Sequence, residues 1–380
     1  MRGSISQRGN TFTAYWWTSD PATGKRRQHS KGGFRTRGAA QKHLNGLLSK
    51  LDDGSWRPDR PLTVKQLLEE HWLPAQRSRE LRPATINQYE NVIRYWLVPR
   101  IGGTRVSALT PGDVQKLVEG LRTEKSATGR RGLSPRSAQV AIGTLKASTA
   151  WAVENGLLAR NPISGVKRPR SATRVMTAWS ANEARAFLAA TETDRLAASW
   201  ALLLTRGLRR GELAGLRWDA VDLERGVLRI ERTRVVVDGK AIDSVPKTAA
   251  GRRTVPLDAS LVAPLRTHRT RQATERLGAG EAWEGVTGHV FVDELGAPYY
   301  PDTFSERFEQ LVHASGLPRI RLHDTRHTAA SLMLAAGVPV KVVSEMLGHS
   351  SPTITLSIYA HVMPGMAEEA GAALSASLLG

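Results

Sequence analysis

The sequence predicts a multidomain α+β chain in three parts: a small β-sheet-plus-helix unit, an all-α bundle, and a mostly α unit with a small β-sheet. Three observations lead there. The hydrophobic period shifts from strand-like to helix-like within the first part, N-cap residues followed by proline recur through the second, and short β-branched runs lie among capped helices in the third. A length of 380 residues suits two or three domains, and a hydrophobic content of 41% suffices for folded cores. The expected boundaries are 1-57, 62-168 and 174-380.

In the first part, Thr11 to Trp17 and Lys25 to Ser30 read as strands, joined through Asp20-Pro21-Ala22-Thr23-Gly24 with glycine supplying the permissive backbone. Thr36 to Leu51 then carries Ala40, Leu44, Leu47, Leu48 and Leu51 at helical spacing. In the second part a helix is expected from about Thr85 to Val98. Thr110-Pro111-Gly112-Asp113 and Ser134-Pro135 each supply an N-cap and a proline at the first helical position, and the second of these helices stops near Asn155-Gly156. Two cationic connections stand out: Lys125 to Gly132, with Arg130 and Arg131, and the proline-containing stretch with Lys167, Arg168 and Arg170. In the third part Ser180 and Glu183 form a capping box ahead of a helix, and a second helix spans roughly Arg195 to Leu204. Short strands follow at Gly226 to Ile230 and Val235 to Val237. A hairpin is expected around Pro246-Lys247 and Arg252 to Leu257, before helices resume after Asp258.

Composition narrows the function. The formal net charge is +19, so polyphosphate partners are favoured and their binding should depend on salt. With no cysteine, disulfides, thiolate zinc sites and a cysteine nucleophile are excluded. No apolar run is long enough to cross a bilayer, and the first residues lack the apolar stretch of a secretory signal. A basic ribbon backed by a helix, with Lys25, Arg26 and Arg27 on it, can enter a major groove; a solvated structural sheet is the plainer reading.

The C-terminal residues carry the chemistry. His323-Asp324-Thr325-Arg326-His327 is followed by Leu347-Gly348-His349 and then by Tyr359. A phosphodiester resists attack because it is anionic and its alkoxide leaves poorly. Attack needs cations on the non-bridging oxygens, an acid for the leaving oxygen and a positioned nucleophile. Arginine supplies a permanent charge and a planar fork, histidine moves protons, and tyrosine attacks where a base or a positive field favours its phenolate.

These residues, with two upstream motifs, resemble the tyrosine recombinase, or phage integrase, family. Arg209 in Gly207-Leu208-Arg209-Arg210-Gly211-Glu212-Leu213 sits where the family carries its first catalytic arginine, and Glu212 resembles its supporting acid. Lys247 matches the family's β-hairpin lysine. His323 and Arg326 match its H-x-x-R-H box, His349 its following histidine, and Tyr359 its nucleophile. The resemblance implies a tyrosine recombinase fold with arm-type DNA-binding, core-binding and catalytic domains that clamp duplex DNA. It implies that Tyr359 attacks the scissile phosphate to give a 3′-phosphotyrosine and a free 5′-hydroxyl. Arg209, Arg326 and His349 would then hold the phosphoryl oxygens, Lys247 would protonate the leaving 5′ oxygen, and His323 would assist the tyrosine proton. DNA contacts would come from Lys25, Arg26, Arg27, Arg130, Arg131, Lys167, Arg168 and Arg170. No metal or other cofactor is implied, and no P-loop is present.

The same resemblance implies DNA attachment sites and a homotetramer on two duplexes as partners, with the segment from Pro364 packing on a neighbouring protomer. A small excision factor, a DNA-bending host protein and a cytoplasmic, nucleoid-associated bacterial location go with it. Integration and excision of a mobile element is the expected role. Plainer readings stand beside this one. Arg209 and Glu212 can form an ordinary i,i+3 pair, Arg210 competes with Arg209 for its role, and His327 and His361 read as structural. His323 and His327 mimic a zinc spacing, but an arginine in the same turn opposes it. A DNA-binding protein with vestigial catalytic residues and a type I topoisomerase are the functional alternatives.

Overall fold

The computed structural model describes residues 3–19, 26–52, 62–124, 132–167, 177–246 and 249–349, with a few isolated positions beyond. It divides into two compact units, Met1–Ser171 and Ala172–Gly380.

The first unit begins with an antiparallel sheet of order β1-β2-β3: β1 Gly3–Arg8, β2 Thr11–Ser19 and β3 Arg26–Phe34, followed by helix α1, Arg37–Asp52. The polar strand β1 was not anticipated. Only Ile5 on it is strongly apolar, but Gly9 (φ +55°) turns the chain so that Gly3 to Arg8 complete the ladder along β2. Ala14 and Trp16 of β2 are buried against Leu44 of α1, with Ile5, Phe34, Leu47, Leu48 and Leu51 packed around them. Cross-strand partners share a face, so Trp16 and His29 lie on the α1 side, where their rings stack at 5.7 Å. Tyr15 with Ser30, Trp17 with Gln28 and Ser19 with Arg26 pair on the opposite, uncovered face.

The same unit holds a separate helical core built on Leu67, Leu68, Trp72, Ile93, Leu97, Leu117, Leu121, Ile142 and Leu145. Its helices are α2 Leu73–Arg77, α3 Pro83–Asn91, α4 Val98–Ile101, α5 Pro111–Thr123 and α6 Pro135–Glu154. The helix expected near Thr85–Val98 runs on through a π-helical turn, Val92–Leu97, into α4. Pro99 cannot donate to the Tyr95 carbonyl, and the Arg100 guanidinium reaches the Tyr95 and Trp96 carbonyls instead. Thr110 and Asp113 form a capping box at α5, and Ser134 Oγ caps α6.

The second unit continues with α7 Ala181–Ala190, α8 Ala197–Arg206, α9 Arg210–Ala214, strands β4 Val221–Asp222, β5 Val227–Ile230, β6 Thr233–Val237, β7 Lys240–Ser244 and β8 Arg253–Pro256, then α10 Ala259–Ala279, α11 Pro301–Ala314, α12 Asp324–Ala335 and α13 Val340–Leu347. Ser180 and Glu183 make the expected capping box at α7. Phe187, Trp200, Phe304, Phe308 and Trp179 form an aromatic centre with ring separations of 5.1 to 6.4 Å. A satellite cluster of Ala330, Leu334, Val343 and Leu347 fastens α12 to α13.

The hairpin expected across residues 246 to 257 is not how the strands pair. β7 pairs with β6, and β8 pairs with β5 in the sheet β4-β5-β8. The reason lies in the turn between Val237 and Lys240. Asp238 and Gly239 both take positive φ (48° and 73°), the two-residue geometry that matches strand twist. That hairpin is pinned by Asp243, whose carboxylate takes bonds from Arg217 (2.5 Å) and Arg234 (2.9 Å) and lies 3.3 Å from His289. Burial opposes its charge, but His289 and the two arginines hold its pKa well below the usual carboxylate range.

Candidate active site

Two glycines in left-handed conformation bring the site's arginines to their anchor points. Gly207 (φ +62°) ends α8, and its carbonyl accepts a 2.7 Å bond from Nη1 of Arg326 on α12. Gly348 (φ +67°) ends α13, and its carbonyl accepts a 2.9 Å bond from Nη2 of Arg209. Neither position tolerates a Cβ: it would lie 2.4 Å from Leu347 Cδ2 at Gly207 and 2.7 Å from the Ala250 carbonyl at Gly348. Arg326 is thus held by the backbone of the motif that carries Arg209, and Arg209 by the backbone of the Leu347-Gly348-His349 turn, where His349 follows directly on Gly348.

Glu212 stands at the third position of α9 and reaches back to the Arg209 backbone N–H at 2.9 Å. Its Oε1 also accepts from Arg209 Nη1 at 2.6 Å. Burial opposes ionisation of this carboxylate, yet the bonds and charge of Arg253, with Arg209 behind it, hold its pKa below the ordinary value. Arg209 itself is 38% exposed while Glu212 is 3% exposed, so the pair presents its cationic side outward. The i,i+3 pair anticipated as the plain reading is real, and it sits inside a larger cluster. Arg210 points elsewhere, to Asp302 and Ser305 of α11 on the exposed surface.

The histidines gather in the same field. Burial, with Arg326 and Arg209 nearby, pushes His349 down to about 4. Burial and Arg326 lower His323, against the opposing charge of Asp324, which is itself held ionised by the Arg321 fork at 2.7 and 3.0 Å. His327 is lowered by burial and by His323, whose ring it meets edge-on at 5.4 Å. Among the described residues no third metal-ligating side chain joins these two. The arrangement therefore offers permanent guanidinium charge beside neutral imidazoles, suited to holding an oxyanion and relaying protons.

The structure thus brings Arg209, Glu212, His323, Arg326 and His349 together. Lys247 and Tyr359 lie outside the described residues, as do Lys25, Arg130, Arg131, Arg168 and Arg170 and nearly all of the segment from Pro364. Lys167 is exposed in the first unit; Arg26 lies on the open face of the small sheet, Arg27 on the α1 side. Sequence reasoning missed Arg253, which binds both oxygens of Glu212 and the Met346 carbonyl. Nothing in the Arg252-Arg253 doublet distinguished it from a cationic strand end.

The comparisons with known proteins agree with this geometry. The Phage integrase family model matches residues 178–365, an Arm DNA-binding domain model matches residues 4–51, and a phage integrase N-terminal SAM-like domain model matches residues 63–122. A tyrosine recombinase XerC-like protein of Caldanaerobacter subterraneus subsp. tengcongensis is 31% identical over 343 residues, covering 85% of this chain and 84% of the relative. The ICEBs1 integrase of Bacillus subtilis is 27% identical over 260 residues, covering 68% of this chain and 70% of the relative. In fold, the chain is similar to the Tn1549 transposon integrase solved with transposon right end DNA, with a TM-score of 0.66 at 20% identity over 84% of this chain and all of that one. With Arg209, Arg326 and His349 held in one cluster and these matches running along the chain, the protein belongs to the phage integrase family of tyrosine recombinases, enzymes of site-specific recombination that cut and rejoin DNA strands.

Proposed function

We propose that Tyr359 attacks a scissile DNA phosphate to form a 3′-phosphotyrosine and release a 5′-hydroxyl, and that a 5′-hydroxyl from a partner duplex reverses the step to join exchanged strands. The bond made to the phenolic oxygen equals in kind the bond broken, so no nucleotide is consumed. Arg209, Arg326 and His349 hold the non-bridging oxygens, Lys247 protonates the leaving 5′ oxygen, and His323 takes part in the tyrosine's proton transfer. The observation that carries this reading is the anchoring of Arg209 on the Gly348 carbonyl and of Arg326 on the Gly207 carbonyl. Two guanidiniums fixed in one cluster are the feature a phosphoryl group requires.

Residues 1-57 bind arm-type DNA, 62-168 bind core DNA and 174-380 carry the chemistry in this proposal. The matched arm and SAM-like models support that division, and the +19 net charge supports duplex DNA as the substrate. A lambda integrase tetramer has been solved on a Holliday junction, and the same assembly is proposed for this chain on two attachment sites. The segment from Pro364 would then link protomers, and an excision factor and a DNA-bending host protein would set direction. The natural role is integration and excision of a mobile element in a bacterial cytoplasm.

The test uses nicked suicide duplexes selected from a randomised pool by covalent capture on the purified chain. Capture of labelled DNA in a denaturation-resistant, protease-sensitive adduct is expected for the wild type and none for Tyr359→Phe. A wild-type chain that binds duplex tightly but forms no adduct at residue 359 favours the vestigial, purely DNA-binding alternative.

A further inference from the structure

Glu212 poses an electrostatic problem. It orients Arg209 through its side chain and backbone, but one carboxylate paired with one guanidinium is neutral, and a neutral pair does little for a phosphoryl dianion-like transition state. Arg253 of β8 answers this. Its Nη2 donates to Glu212 Oε2 at 2.9 Å and its Nη1 to Oε1 at 3.1 Å, a fork-on-carboxylate pairing in which both side chains are nearly buried, 7% and 3% exposed. Its Nε donates to the Met346 carbonyl at 2.6 Å, one of the orphan carbonyls at the end of α13. The fork also lies against the Gly348 turn, where a Cβ would come within 3.0 Å of Nη1. One side chain therefore ties together β8, the acid of α9 and the turn that presents His349.

We propose that Arg253 is a positioning residue for strand cleavage: it neutralises Glu212 so that Glu212 can orient Arg209 without cancelling its charge, and it locks the Gly348-His349 turn to the same carboxylate. The trio keeps one net positive charge, and that charge lies on the exposed partner, Arg209. Lysine keeps the charge that offsets Glu212 and gives up only part of the contacts, having no planar fork and no separate Nε donor. The proposal rests on the phosphotyrosine reading above and specifies how its cationic site is kept cationic.

The experiment compares covalent capture rates of the full-length chain on the selected nicked duplexes, with duplex binding followed in parallel by mobility shift. Arg253→Met is expected to lower the capture rate about 100-fold while binding changes by no more than about 3-fold. Adding Glu212→Gln to Arg253→Met removes the uncompensated carboxylate and is expected to restore capture about 10-fold over the single variant. A merely structural tie makes the double variant equal to or worse than the single, and that result overturns the proposal, as does wild-type capture by Arg253→Met. Should Arg253→Met fail to fold, Arg253→Lys decides: it keeps the charge, so capture within about 10-fold of wild type supports the proposal and a loss of about 100-fold overturns it. Absence of capture by the wild type itself defeats the phosphotyrosine reading and this proposal with it; capture by the wild type with no rescue defeats only the role of Arg253.

Discussion

The Gly207 carbonyl accepts the 2.7 Å bond from Arg326 Nη1 across 119 residues of chain, and it does so from the left-handed residue that ends α8. A carbonyl turned out of its helix by a left-handed cap is free to meet a side chain rather than an amide. Gly348 repeats the device for Arg209. Helix ends, not helix faces, set the spacing of the two guanidiniums.

Gly207→Ala is therefore expected to damage both stability and chemistry. The left-handed backbone costs an L-residue about 1–2 kcal/mol, and the new methyl would meet Leu347 Cδ2. Urea denaturation should show a lower midpoint. Covalent capture per folded molecule should fall as well, because the Arg326 anchor moves; unchanged capture would argue that the anchor is incidental.

Arg326→Lys and Arg209→Lys each keep a charge but leave one ammonium to serve the glycine carbonyl and the phosphate together. Cleavage should drop about 100-fold in each case while duplex affinity changes little. Single-turnover capture and mobility shifts separate the two effects. A lysine variant cutting at the wild-type rate would mean that guanidinium geometry is unimportant.

Acid should weaken the second unit before its carboxylates are titrated. His268 is pushed down to about 4, chiefly by burial; its Nε2 bonds the Val290 carbonyl and Arg271 lies against its Nδ1. It stays neutral in the folded chain but takes a proton in the unfolded one near the ordinary value of 6.5. Its contribution is thus complete above about pH 6.5 and is lost as pH falls towards 4, on the order of 3 kcal/mol in total. His349, half-buried and also held at about 4, acts in the same direction with a smaller, solvent-screened effect. Urea unfolding at intervals from pH 7 to 4 should give a falling stability whose slope is shallower in His268→Gln.

The uncovered face of the small sheet offers Tyr15, Trp17, Arg26 and Gln28 side by side. Arg26→Ala should weaken duplex binding and reduce its log–log salt slope by about 1, the signature of one lost phosphate contact. Trp17→Ala should reduce affinity with no such change in slope. Equal behaviour of Arg27→Ala, from the α1 side, would show that the face is not selective.

Much of the chain was legible in order along its length. The capping boxes at Thr110 and Ser180 and the proline starts at Pro111 and Pro135 are local signals, set by backbone groups within one turn of the residues that satisfy them. Strand β1 escaped notice because its side chains carry little apolar pattern; it exists through the backbone ladder that β2 offers. The pairing of β7 with β6 was hidden behind the Lys247 motif, although Asp238-Gly239 marked the turn.

By itself the sequence determined the cationic character and the motifs that mark the family, because residue types and short spacings carry that information. Only the tertiary structure showed that Arg209 does meet Glu212 while Arg210 turns to Asp302, that the Gly207 carbonyl anchors Arg326 and the Gly348 carbonyl Arg209, and that Arg253 completes the cluster. Those contacts join residues from 3 to 139 positions apart around one buried carboxylate and two turned-out carbonyls. Their cost of desolvation is met only when all the partners arrive together, and no local pattern encodes such an arrival.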